Sequence, residues 1–107
     1  NTTVARAGVP PSAAARPGGL SGAPLRARAT EVIRYLARRT EGKLPIVGAG
    51  GIMSAADALE KLRAGAWLVQ VYTGLVYAGP GLVRQINRDL LEACEVEGAH
   101  RVRELRA

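Results

Sequence analysis

The residues best placed to do chemistry in this chain are glycines set behind apolar runs. "PIVGAGGI" at 45–52 puts Gly48, Gly50 and Gly51 directly after a short hydrophobic stretch, with a helix-like segment following. Glycine at the carboxyl end of a strand lets backbone N–H groups approach an anion with no Cβ in the way. The N-terminus of the following helix adds partial positive charge, so the arrangement suits a phosphate. A second corner of the same kind, Tyr72-Thr73-Gly74, closes the next apolar run and adds a hydroxyl. The plain alternative is that these glycines only make tight turns.

The dinucleotide fingerprint G-x-G-x-x-G fits less well. Gly48 and Gly50 match it, but Met53 stands where the third glycine belongs. Tyr72 and Thr73 occupy the region where an acidic residue is expected about 20 residues on. Two glycine corners on successive strand ends match instead the phosphate site of the last two βα loops of a (β/α)8 barrel. No catalytic residue stands out. Ser12, Ser21 and Ser54 read as a loop serine, a turn serine and a helix cap. His100 lies in the tail, away from both corners, and Cys94 has no partner for metal or nucleophilic work, so no metal site is expected. Met53 and Trp67 read as packing residues.

The elements that must position these corners follow from periodicity and caps. Residues 4–19, with paired prolines, small residues and a glycine pair, read as a loop. A helix is expected from Ala29, capped by Thr30, with Ile33, Leu36 and Ala37 on one face and Gly42 as its stop. A strand over 44–47 leads into the glycine turn. Ser54 and Asp57 resemble a capping box for a second helix, with Ala55, Leu59 and Leu62 on one face and Gly65 at its end. A second strand over 67–72 is apolar apart from Gln70, a loop spans 73–79, and Pro80 opens a last helix. Leu82, Val83, Ile86 and Leu90 would line its buried side. Apolar strands joined by crossover helices imply a parallel sheet covered on both faces. Two strands cannot complete such a sheet, so further strands or self-association are expected.

Composition bounds the rest. The 107 residues hold one domain at most, 48% apolar and 22% charged. A single cysteine excludes an intramolecular disulfide framework and fits a reducing compartment. The net charge of +6 would favour an anionic partner, but the arginines alternate with Glu31, Glu41, Asp89 and Glu92 as solvated helix faces do. A basic nucleic-acid module is the reading from another class. It lacks the clustered aromatic platforms of single-strand binders, so no nucleic-acid partner is expected. No window approaches the ~20 apolar residues of a membrane span, and the start "NTTVARAG" has no apolar signal region. A start without Met suggests a fragment or a processed product.

Four stretches, "NTT" at 1–3, "GGLSGAPL" at 18–25, "LPIVGAGGI" at 44–52 and "VQVYTGLVYAGP" at 69–80, together resemble the C-terminal part of dihydroorotate dehydrogenase. The wording of "SGAPL" and "YTGLVYAGP" is similar to the quinone-dependent, membrane-associated class. The likeness covers residues 1–91; residues 92–107 would be a helical extension or a disordered tail. The resemblance implies an α/β fold, about the last two βα units of a TIM barrel, incomplete as a stand-alone chain. It implies FMN as cofactor and the oxidation of dihydroorotate to orotate in pyrimidine synthesis, with electrons passed to a quinone. By the same resemblance Asn1 and Thr2 would contact the substrate, Gly22 would admit the flavin, and Gly51 with Tyr72 and Thr73 would cradle the FMN phosphate. Another phosphate-gripping FMN barrel is the alternative enzyme.

The departures from the family pattern bear on activity. Ala49 replaces a slightly larger aliphatic residue. The family's proton-abstracting serine, its flavin-contacting lysine and its N-terminal membrane and quinone segment have no counterpart in these residues. A complete barrel takes about 250 residues, so less than half is expected here, and the isolated chain is expected to be inactive. The quinone and the peripheral attachment to the cytoplasmic membrane would be reached through the missing part.

Overall fold

The computed structural model describes residues 2–106. The "SGAPL" turn leads through a 3-10 turn, Ala23–Leu25, straight into helix α2, Arg26–Arg39, after a one-turn helix α1 at Pro11–Ala14. Pro24 sits in the first turn, where its fixed φ and missing N–H cost nothing. The chain then makes β1 (Val47–Gly48), α3 (Ala55–Arg63), β2 (Leu68–Val69), α4 (Thr73–Ala78), α5 (Gly81–Glu97) and a final 3-10 turn, Val102–Leu105. The two strands pair in parallel, Val47 opposite Leu68 and Gly48 opposite Val69.

Several sequence expectations are corrected. Helix α2 starts before Thr30, which is buried within it rather than capping it. The Thr30 hydroxyl donates to the Arg26 carbonyl one turn back, at 3.0 Å, the local back-bond open to a threonine inside a helix. The expected loop over 4–19 contains α1, started by Pro11, and its ends are tied by an antiparallel bridge between Thr3 and Leu20. Both strands are two residues long, shorter than expected. The expected loop over 73–79 is α4, ended by Gly79 at φ 78°. Pro80 is the cap of α5 and not its first residue. Helix α5 runs on past residue 91 to Glu97, and Leu105 beyond it is buried.

The helices cover one face of the strand pair. A Cβ on Gly48 would meet Ala66, Lys61 and Ile33, so this face is closed by α2 and α3. Ile33, Ile46, Ala64 and Ala66 form one core cluster beneath it. The second cluster joins Ile52 to Ala58 and Leu62 of α3 and to Leu82, Ile86 and Leu90 of α5. Cys94 extends that α5 stripe and is buried, whereas Val83 faces outward. The opposite face of the strands is open: Val47 is 54% and Leu68 66% exposed. Among the described residues no second layer packs on Val47 and Leu68, so one face of the strand pair is covered and the other is open. Trp67 is half-exposed, with the Arg106 guanidinium stacked 4.4 Å from its ring centroid.

Candidate functional site

Because β1 and β2 run parallel, the two glycine corners leave the same edge of the sheet. They meet in a cleft of about 280 Å³ lined by Thr2, Ser21, Gly22, Ala49–Ile52, Gln70 and Tyr72–Gly74. Four of the residues singled out from the sequence besides Thr2 are thus brought together: Gly22, Gly51, Tyr72 and Thr73. Asn1 lies outside the described residues. Ligands of open α/β sheets bind at this carboxyl edge, where strands end and helices begin.

Each wall has a local reason for its shape. Gly51 takes φ 73°, a left-handed conformation that strains any residue with a Cβ. Its missing Cβ would also lie 2.5 Å from Arg26 Cβ and 2.7 Å from Arg26 N. The turn can therefore press against the start of α2 only with glycine there. Gly22, at φ 87°, faces the second corner, and the Thr73 methyl would be 3.0 Å from its Cβ. The Thr73 hydroxyl donates to Ser21 Oγ at 3.1 Å, which ties the "SGAPL" turn to the end of β2. Among the described residues, the amides of Gly50, Gly51, Thr73 and Gly74 donate to no main-chain acceptor. Such donors at a cleft wall suit an oxygen-rich anion. Tyr72 is 81% exposed, its ring on the rim rather than in the floor.

The turn after β1 is held from behind. Ser54 caps α3, accepting from Asp57 N at 3.3 Å. Asp57 accepts in turn from Met53 N at 3.0 Å and from the Ser54 hydroxyl at 3.1 Å, and it pairs with Arg26 at 2.7 Å. Burial pushes the Asp57 carboxyl up, but the Met53 amide, the Arg26 guanidinium and the Ser54 hydroxyl together hold it below the usual carboxylate range. Lys61 is fully buried and donates to Thr30 Oγ1 at 2.6 Å and to the Arg26 carbonyl at 3.0 Å. Burial lowers its pKa, and neighbouring Arg26 lowers it further against the opposing pull of Glu60 and Asp57.

Sequence reading missed Arg26 and Lys61 and saw Asp57 only as a cap. The available signal was the pair of charges four apart on the otherwise apolar side of α3. Gln70, the one polar residue noted in the second strand, lines the cleft. His100 is exposed, and among the described residues no group of His, Cys, Asp and Glu could hold a metal ion. Several arginines are engaged: Arg28 with Glu31, Arg63 with Glu97, and Arg6 with the carbonyls of Thr3 and Gly18.

Parallel strands joined by helices, with a cleft at their carboxyl ends, define an α/β fold. The family model for dihydroorotate dehydrogenase matches residues 1–94, and the chain belongs to that family. A dihydroorotate dehydrogenase (quinone) of Synechococcus sp. (strain JA-2-3B'a(2-13)) is 67% identical over 76 residues, covering 71% of this chain and 20% of that protein. The corresponding protein of Anaeromyxobacter sp. (strain Fw109-5) is 55% identical over 105 residues, covering 97% of this chain and 29% of its own length. Among solved structures, ligand-free DHODH from Eimeria tenella superposes with a TM-score of 0.92 at 33% identity, covering 100% of this chain and 30% of that one. The Eimeria tenella enzyme in complex with ferulenol gives 0.88 at 35% identity, covering 99% of this chain and 28% of that one. The chain thus spans less than a third of the length of each of these relatives.

Proposed function

We propose that this chain is the C-terminal part of a quinone-dependent dihydroorotate dehydrogenase, about the last two βα units of its (β/α)8 barrel. In the whole enzyme it holds the phosphate end of FMN and part of the substrate. The observation that carries this reading is the convergence of both glycine corners and the "SGAPL" turn on one cleft. Its lining fits the group: amides without main-chain acceptors, a threonine hydroxyl and bare backbone are what a phosphate needs.

In this reading Gly51 and the Tyr72–Thr73 corner grip the phosphate, and Gly22 lets the backbone lie close to the flavin. Asn1 and Thr2 orient dihydroorotate, with the Asn amide suited to a ring that offers both donors and acceptors. Bound FMN supplies the hydride-accepting chemistry, and the protein orients the reactants and excludes competing reactions. The proton-abstracting base belongs to the remainder of the barrel, and the membrane contact and the quinone site to the enzyme's N-terminal part. Pyrimidine synthesis is the setting in which the product orotate is used.

The test is a graft. Placed in the Anaeromyxobacter relative in place of its matching segment, these residues should give a yellow enzyme that oxidises dihydroorotate with a quinone acceptor. A folded graft without flavin, or one that holds FMN and leaves dihydroorotate untouched, would overturn the proposal.

A further inference from the structure

Helix α3 turns two charged residues inward, Asp57 and Lys61, one helical turn apart. Both close on the same residue of α2. The Asp57 carboxylate takes the Arg26 guanidinium at 2.7 Å, and the Lys61 ammonium donates to the Arg26 carbonyl at 3.0 Å. Arg26 is thereby gripped by its side chain and by its main chain. It is also the wall behind Gly51, with its N, Cα and Cβ all within 2.7 Å of where a Cβ would sit. The other Asp57 oxygen fixes the exit of the same turn through the Met53 amide.

Burying an ammonium and a carboxylate costs free energy that apolar residues of similar size avoid. Packing α3 on α2 does not call for them. What they add is direction, because every polar atom is committed: among the described residues no buried side-chain N or O lacks a partner. A satisfied polar network of this kind fixes one arrangement where an apolar contact would allow sliding.

We infer that Asp57 and Lys61 are positioning residues for the cleft: they clamp Arg26 against Gly51 and so set where the Gly50–Gly51 amides stand relative to the Thr73 corner. The inference rests on the reading of that cleft as the phosphate site. Neither side chain lines the cleft, so both act through the turn. Placement matters at this scale, since a binding constellation must be held to within about 0.5 Å.

The experiment measures dissociation constants of FMN and of riboflavin, which lacks the phosphate, by flavin fluorescence in the complete graft and its variants. Wild type should hold FMN far more tightly than riboflavin. Asp57→Asn should weaken FMN about tenfold, the scale of one charge-assisted hydrogen bond, and leave riboflavin unchanged. Equal losses for both flavins would mean general damage and would overturn the inference, as would full FMN affinity in a folded Asp57→Asn protein. If that variant does not fold, Arg26→Gln carries the test, since it removes only the half-exposed end of the pair. A selective loss of FMN affinity there supports the clamp, and an unchanged ratio of the two affinities overturns it. A wild-type graft that does not distinguish the two flavins would instead refute the phosphate site itself.

Discussion

At the residue scale the cleft depends on positions where a side chain has no room. Gly51→Ala would bring a Cβ into Arg26 at φ 73°. Backbone strain alone costs about 1–3 kcal/mol, so urea denaturation should show at least that loss, with FMN retention falling further in the graft. Thr73→Val keeps the methyl that faces Gly22 and removes the bond to Ser21. Its effect on stability should be about 1 kcal/mol or less at this exposed site, with a larger effect on FMN affinity. The charged pair on α3 adds a pH signature. Asp57 titrates below its unfolded value near 4, so its contribution is full above that pH and is lost as pH falls through the folded value. Lys61 is also lowered. Between its folded and unfolded values the unfolded chain binds the extra proton, so stability rises with pH in the window below about 10.4. Denaturation of wild type and Lys61→Met at pH 8 and pH 10 should show wild type gaining relative to the variant. A difference that stays constant or shrinks with pH would contradict this.

At the element scale, apolar stripes place α2, α3 and α5, a side-chain cap starts α3, and burial decides which face matters. Ser54 is both the cap of α3 and a donor to Asp57. Ser54→Ala should therefore lose about 1 kcal/mol, read from the shift in denaturation midpoint. Helix α5 joins the core through Leu82, Ile86, Leu90 and Cys94. Ile86 is buried in the core cluster that α5 shares with α3, so Ile86→Ala should cost about 2–5 kcal/mol by the same measurement. Much at this scale could be read from the sequence: Ile33, Leu62, Ile86 and Leu90 were on the expected inner faces. The start of α2 was not, because Thr30 has the chemistry of a cap. Its bonds to the Arg26 carbonyl and to Lys61, 31 residues away, show that its hydroxyl is used inside the fold. The loop over 73–79 was misread because a six-residue helix between glycines has too few positions to show a period.

At the scale of the whole molecule the chain is a slab, 47 × 34 × 18 Å, one layer of helices on one pair of strands. Its bare side carries Val47 and Leu68. An uncovered apolar face of this kind promotes association. In sedimentation experiments the isolated chain should give a mass that rises with concentration, and Leu68→Lys should shift it toward monomer. The isolated chain should also fail to reduce a dye with dihydroorotate, since the proposed base lies in the rest of the barrel. Among the described residues no helix is long and apolar enough to cross a membrane.

The sequence by itself determined the corners and the family. Glycine spacing, caps and apolar runs are local, and four ordered motifs carry the kinship that the family model then shows. Only the tertiary structure decided that the two corners and the "SGAPL" turn share one cleft, and that Arg26, Asp57, Thr30 and Lys61 interlock behind it. The physical reason is distance along the chain. Pairings across some 31 to 52 positions depend on how the helices pack, and no local pattern of residue types encodes that.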